Sequence, residues 1–303
     1  MLKYRGGKSK ELKYFLKYIE NEKFDRYFEP FFGGGATYFA LEPHQAIIND
    51  LNKKLINFYL DVKNNFDLLK KELSHLEQIY IENQRLYQEL KALNPKERVP
   101  NKNEDLYYKI RKEFNYPTGC MLEGTAYFFI NKTAYSGMIR YNKKGEFNVP
   151  FGRYKNFNTS LINENHHILF QSTEIFNMDY SEIFNMATPN DIMFLDPPYD
   201  CIFNDYGNFE IVDGFNEAEQ KRLYQDFINL DTRALMVIAK TPLTEELYRK
   251  FIVEEYDKSY SVNIKNRFKS EARHIIIKNY KKKKIDNTNR LRLFGIPTHT
   301  RVI

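Results

Sequence analysis

The segment FLDPPYDCIF, Phe194 to Phe203, leads an apolar run into a carboxylate, two prolines and a phenol ring. Proline fixes φ and carries no amide hydrogen, so Pro197 and Pro198 hold Asp196, the Pro197 carbonyl and Tyr199 in a rigid relation. A plain Pro-Pro turn would leave the same residues with no task. The chemical reading starts from an exocyclic amine on a planar nucleobase. Such an amine is a poor nucleophile because its lone pair is delocalised into the ring. Two acceptors at its hydrogens, Asp196 and the Pro197 carbonyl, draw the nitrogen towards tetrahedral geometry, while Tyr199 offers a face for stacking. A methyl donor in line is then attacked directly, the protein supplying alignment and electrostatics.

A second constellation is EPFFGGGA, Glu29 to Ala36, with three glycines where an apolar run passes into a helix start. Glycine lets backbone approach a ligand, and a helix N-terminus adds amide donors. The spacing is neither that of a P-loop nor G-x-G-x-x-G. Asp50 closes the next apolar run, AIIND, where an acid can take both hydroxyls of a ribose. The pair suits a nucleoside-like ligand without a pyrophosphate; a tight structural turn is the other reading. A third stretch, YRGGK, puts Tyr4 where it can pack on a ring and Lys8 where it can neutralise a ligand carboxylate. A flexible basic N-terminus would read the same locally.

These residues need elements to hold them. RYFEPFFGGGA reads as strand, turn and helix start, AIIND as a strand before the helical NKKLINFYLDVKNNFDLLKKEL, and DIMFLDPPY as a buried strand. ALMVIAK is another buried strand after the helical NEAEQKRLYQDFINL, and FIVEEYDKSYSV with RHIIIKNY makes a closing antiparallel pair. Strands alternating with helices predict a doubly wound, mostly parallel α/β sheet with ligands at the carboxyl ends of its strands. Between about Leu60 and Asn165 the alternation fades. A long polar helical stretch, a loop at NPKERVPNKNED and a helix at DLYYKIRKEFN follow, then the aromatic and basic NKTAYSGMIRYNKKGEFNVPFGRYKNF, with a hairpin turn at Asn142 to Gly145. This is a module inserted between two halves of a sheet.

The bulk numbers agree. A chain of 303 residues, 42% hydrophobic, can bury a real core, and 25 Phe with 23 Tyr make that core or its stacking surfaces aromatic. The net charge of +6 is uneven: from Lys265 onward 12 basic residues face 2 acids. A basic end on a near-neutral body suits a polyanion or a solvated tail. Two cysteines, Cys120 and Cys201, lie outside any CxxC, which argues against a zinc site or a disulfide framework and fits a reducing cytosol. No metal is expected. No run has the length of a membrane span, and MLKYRGGKSK lacks an apolar signal-peptide core.

Taken in order, YRGGK, FEPFFGGGA and DPPY, with a module between the last two, resemble the Dam-type (D12 class, α group) DNA adenine-N6 methyltransferases. YYKIRKEFN and GMIRYNKKGEFNVPFGRYK are similar to that family's recognition domain. The resemblance runs to about Tyr280. It implies a sheet of the S-adenosylmethionine-dependent methyltransferase type at 1–60 and 166–280. It further implies a mainly helical target-recognition domain with a β-hairpin at 61–165, and a basic tail at 281–303. S-adenosylmethionine would be the donor, S-adenosylhomocysteine the product, and the N6 amine of a flipped-out adenine in duplex DNA the acceptor.

By the family's motifs, Asp196, Pro197, Pro198 and Tyr199 are the catalytic turn. Tyr4, Lys8, Phe31, Gly33, Gly35 and Asp50 line the cofactor pocket, with Asp179 and Tyr180 at the cofactor's adenine. Lys3, Ser136, Arg140, Asn148, Pro150 and Arg153 fall on the DNA side, Arg140 as a reader of guanine edges, and Tyr135 fills the place of the extruded base. The chain departs from the family at Ser136, where Asn is frequent, and at Tyr4, where Trp is common. The segment DCIFNDYGNFEIVDGF also differs from GATC-methylating relatives, so the hairpin suggests GATC and this segment leaves the target open. The implied partner is double-stranded DNA, with no membrane; the implied enzyme is a cytoplasmic monomer, either solitary or in a restriction system whose cognate endonuclease is encoded nearby and need not bind it. Two alternatives share the pattern. One is an RNA or protein-glutamine methyltransferase, in which Asn usually opens the catalytic turn for glutamine. The other is a non-catalytic DNA-binding relative, whose turns would be damaged.

Overall fold

The computed structural model describes residues 1–4, 6–198, 215–258 and 272–280. Its centre is a seven-stranded sheet in the order β3-β2-β1-β4-β5-β7-β6. The strands are β1 Tyr27–Glu29, β2 Ala46–Asn49, β3 Thr173–Phe176, β4 Ile192–Leu195, β5 Arg233–Ala239, β6 Ile252–Lys258 and β7 Ala272–Lys278. The first five run parallel, and β7 lies antiparallel between β5 and β6. AIIN and IMFL are buried at every position because helices cover both faces, so they read as continuous apolar runs without alternation. The expected doubly wound sheet and closing antiparallel pair are both present.

Ten helices appear among the described residues: α1 Leu12–Phe15, α2 Ala36–Leu41, α3 Lys53–Asn64, α4 Phe66–Leu93, α5 Lys102–Asn115, α6 Glu123–Thr133, α7 Glu164–Gln171, α8 Tyr180–Met186, α9 Glu217–Ile228 and α10 Pro242–Tyr248. None is long and apolar enough to cross a membrane. From β1 the chain steps to β2 and β3 on one side, then returns to β4 and β5 on the other. This reversal leaves a crevice at the carboxyl ends of β1 and β4, the place where such sheets take ligands.

Three features differ from the sequence reading. The helical stretch from Asn52 onward is two helices, because Asn65 bonds back to Asp61 through its backbone N–H (2.9 Å) and its side chain (2.8 Å), and leaves helical geometry. The strand β3 carries a weak apolar signal because it is a sheet edge and only Thr173 is fully buried. The hairpin after α6 has its turn, with Asn142 N–H on Glu146 and Gly145 N–H on Asn142. Its arms, however, form isolated bridges at Tyr141–Phe147 and Ala134–Phe151 rather than a continuous strand ladder. Side chains of α5 take the ladder's place. Asn115 bonds both peptide groups of Phe147, at 2.8 and 3.0 Å, while Tyr107 and Arg111 donate to the Val149 carbonyl.

The insertion is welded to the sheet through α3. The Phe58 ring stacks on Tyr127 and Phe128 of α6 at 5.6 and 6.1 Å, and one apolar cluster runs from Tyr27 and Phe194 in the sheet to Tyr80, Tyr107 and Phe151 in the module. The expected boundary at residues 60 and 61 falls inside α3. Asp61, buried, accepts from the Gly124 N–H that opens α6 and from the Asn65 side chain, both at 2.8 Å. Asp61→Ala removes both bonds and leaves the Gly124 donor unsatisfied. The loss should be about 1–3 kcal/mol, read as a lower urea midpoint at constant slope; an unmoved midpoint would remove this joint from the account.

Candidate active site

The turn after β1 is built on left-handed backbone. Gly33 and Gly35 have φ of +49° and +64°, conformations that cost a side-chain-bearing residue about 1–2 kcal/mol. Its shape is held from two sides. Asp50, just past β2, accepts the Gly33 N–H on Oδ2 and the Asn52 N–H on Oδ1, both at 2.8 Å, and the Tyr59 hydroxyl donates to the Gly33 carbonyl at 2.8 Å. Burial raises the Asp50 pKa and the two backbone bonds oppose it. The Tyr4 ring lies flush on this turn: a Cβ at Gly33 would sit 2.7 Å from its Cε1, and one at Gly34 2.9 Å from its Cβ. Burial, reinforced by the Asp50 charge, pushes the Tyr4 phenol well above its ordinary value.

At the end of β4, Asp196 meets Lys8, whose Nζ lies 2.5 Å from Oδ1. Lys8 is 2% exposed, so its charge depends on such a partner. The sequence put Lys8 beside a ligand carboxylate; the structure puts it on the carboxylate of the protein's own turn. Pro197 is buried and Pro198 half-buried, and the Pro198 carbonyl accepts from Gln220 of α9 at 3.3 Å. Tyr199, the segment after it and the tail after Tyr280 lie outside the described residues.

An aromatic wall closes the β3 side. Phe31 lies 5.1 Å from the Tyr180 ring and edge-on to Phe215 at 6.2 Å. Tyr180 is buried, donates to Asp226 at 2.8 Å and lies under the Arg222 guanidinium at 4.8 Å. Asp179 caps α8 through Ser181 and is gripped by Arg222 at 2.5 and 3.2 Å. Burial works against its ionisation, but the Arg222 and Ser181 bonds outweigh it and hold the carboxyl below the usual range. The implied partner of a cofactor adenine is thus already half of an ion pair.

The remaining residues gather on the inserted module. Lys3 joins it to the N-terminus: its N–H donates to Asn131, its Nζ to the Lys132 carbonyl at 3.0 Å, and the ammonium lies 3.9 Å over the Tyr154 ring. Tyr135 stands 56% exposed, a large ring presented to solvent, with its N–H on the Pro150 carbonyl. Ser136, beside it, has φ of +55° and Arg153 of +52°. Arg140 is exposed, and its guanidinium donates from Nε to the Asn148 side chain at 2.9 Å and from Nη2 to the Asn148 carbonyl at 3.5 Å. Arg153 faces Glu104 at 3.6 Å.

The sequence reading passed over two groups. Glu29, at the end of β1, is buried and bonded by the Tyr27 hydroxyl at 2.7 Å. Burial, with the Asp196 charge adding to it, pushes its carboxyl well above the ordinary range. Its signal was in view, an acid in an otherwise apolar strand. The other group is a buried cluster of Glu11, Tyr256, Lys258 and His274, whose members are too far apart in the chain for any local pattern to join them. No group of three or more His, Cys, Asp or Glu residues among those described could hold a metal ion.

With this geometry in place, comparison with known proteins is specific. The model of the family described as D12 class N6 adenine-specific DNA methyltransferase matches residues 4–264. The type II methyltransferase M.CviBI of Paramecium bursaria Chlorella virus NC1A is 33% identical over 289 residues, covering 92% of this chain and 99% of its own. The type II methyltransferase M1.LlaDCHI of Lactococcus lactis subsp. cremoris is 30% identical over 296 residues, covering 92% and 94%. A DNA adenine methylase of Haemophilus influenzae is 29% identical over 284 residues, covering 88% and 90%.

The contact between Tyr4 and the glycine turn can be tested by itself. Gly33→Ala should cost about 1–3 kcal/mol of stability from strain and overlap. In a Tyr4→Ala background the loss should shrink, since that ring is what the new methyl meets. A urea-denaturation cycle reads both values, and equal losses in the two backgrounds would show that the ring is not in contact.

Proposed function

The chain belongs to the D12 class N6 adenine-specific DNA methyltransferases, and we propose that Asp196, set by the buried Lys8 ammonium, is the group that activates the adenine amine. As a member of that class it transfers the methyl group of S-adenosylmethionine to the exocyclic N6 of adenine in DNA. The observation that carries the residue assignment is the Lys8–Asp196 pair at the switch point of the sheet, beside the glycine turn.

The donor set suits the cofactor. Asp50 offers a carboxylate for the ribose hydroxyls, each oxygen accepting one backbone bond and keeping a lone pair. Phe31, Tyr180 and Phe215 offer faces for an adenine, and Asp179 an acceptor for its amine. Gly33 and Gly35 let the turn come close, and Tyr4 covers it. Bound there, S-adenosylmethionine supplies a methyl group made electrophilic by its sulfonium.

The chain's own residues do the rest. Asp196 and the Pro197 carbonyl accept the two hydrogens of the target amine, concentrating its lone pair on nitrogen; the family motif assigns Tyr199 the stacking role. As N6 gains the methyl it becomes cationic and must give up one proton; Asp196, already bonded to that hydrogen, is the acceptor at hand. Lys8 keeps the carboxylate oriented before and after transfer, at no reorganisation cost. Buried in duplex DNA, the target base must be flipped out, and exposed Tyr135 takes its place in the stack. Arg140, held by Asn148, reads a guanine edge. Lys3, Ser136, Pro150 and Arg153 contact the DNA around it.

Under this reading 1–60 and 166–280 form the catalytic unit, 61–165 the target-recognition module and 281–303 a basic tail. The enzyme acts as a monomer on cytoplasmic DNA. The type II names of two relatives support a cognate restriction endonuclease encoded nearby.

Asp196→Ala should abolish methyl transfer while S-adenosylhomocysteine binding stays measurable by calorimetry; a fully active variant would sink the assignment. Arg140→Ala should relax the target at one base pair, losing about 1–3 kcal/mol of discrimination. Single-molecule sequencing of DNA from cells expressing each protein gives the modified base and its context, and an unchanged context in the variant would refute the reading of Arg140.

A further inference from the structure

Lys8 has a second carboxylate nearby. Glu11 follows one turn later, its N–H on the Lys8 carbonyl at 2.7 Å. Its side chain is 8% exposed and makes three contacts with the far strands. Oε2 accepts the Tyr256 hydroxyl at 2.7 Å and lies 2.8 Å from His274 Nδ1; Oε1 lies 3.0 Å from Lys258 Nζ. Tyr256 and His274 are register partners on β6 and β7, and Tyr14 of α1 stacks on Tyr256 with centroids 4.3 Å apart. Burial opposes ionisation of Glu11, but the His274 and Tyr256 bonds, with the Lys8 and Lys258 charges, push its carboxyl down to about 2. Burial lowers the Lys258 pKa and the Lys8 charge adds to this, while Glu11 and Asp196 oppose it.

Two ammoniums and two carboxylates thus share one buried patch, with Asp196 as its member at the crevice. Losing the Glu11 charge would remove a carboxylate that balances Lys8 and Lys258 and raise the positive field on Asp196. Their combined field would draw its electron density away from an incoming amine and release the helical segment that carries Lys8.

We propose that Glu11, held by Tyr256 and His274, is a positioning residue for methyl transfer, fixing Lys8 and balancing its charge so that Asp196 stays a strong acceptor. This rests on the reading that Asp196 activates the amine. The test uses the full-length protein, labelled S-adenosylmethionine and plasmid DNA from a methylation-deficient host, under single-turnover conditions.

Glu11→Gln should lower the transfer rate roughly 10- to 100-fold, with affinities for S-adenosylhomocysteine and DNA unchanged. In a Lys8→Met background the same substitution should add less, because the Lys8 charge that Glu11 balances is then gone. Tyr256→Phe, which keeps the Tyr14 stack, should give a smaller loss in the same direction. A wild-type rate in Glu11→Gln, or an equal loss with and without Lys8, would overturn the proposal. If Glu11→Gln does not fold, Tyr256→Phe decides, and a wild-type rate there overturns it. Asp196→Ala, run alongside, separates the failures. Activity in that variant refutes the underlying reading, whereas an inactive Asp196→Ala beside a normal Glu11→Gln refutes only the role of Glu11.

Discussion

A buried ammonium needs an opposite charge, and much of this molecule is arranged around meeting that need for Lys8. Lys8 belongs to the N-terminal segment, while its partner Asp196 is 188 residues further on, at the end of β4. To bring them together the segment must lie across the carboxyl edge of the sheet. That path puts Tyr4 on the glycine turn after β1 and Lys3 against the end of α6, and brings Glu11 under β6 and β7. One short stretch of chain therefore touches the glycine turn, the inserted helical module and the far strands of the sheet.

Much of this could be read from the letters wherever the constraint is local. Pro197 and Pro198 stiffen their turn whatever surrounds them, three glycines between a strand and a helix announce a close approach, and the runs AIIN, IMFL and ALMVIA report burial on both faces. Legibility failed where an element's identity comes from distant partners. The edge strand β3 and α6, buried at every position after Glu123, lack a clean period, and Asn65 alone divides α3 from α4 by bonding back to Asp61. The partner of Lys8 could not be seen either, because a lysine near an N-terminus looks the same whether it meets a ligand or an aspartate far along the chain.

The inserted module is separate in sequence but continuous in substance. Phe58 on α3 stacks on α6, and the apolar cluster does not stop between sheet and insertion. Asp61 then ties the end of α3 to the start of α6 with a hydrogen bond that has direction as well as strength. A rigid joint of this kind fixes where the exposed Tyr135 and Arg140 stand relative to the strand ends, so alignment is built into the core rather than left to a linker.

The hairpin that carries Arg140 is gripped by its main chain. Asn115 takes both peptide groups of Phe147, Tyr107 and Arg111 take the Val149 carbonyl, and Tyr80 takes that of Tyr154 at 2.5 Å. Every residue type but proline presents the same N–H and C=O to such holders. The outward side chains are therefore free to be exchanged while the loop keeps its seat. If Arg140 reads DNA as proposed, heritable drift in the letters of this loop would alter which DNA word is read without rebuilding the machine that does the writing.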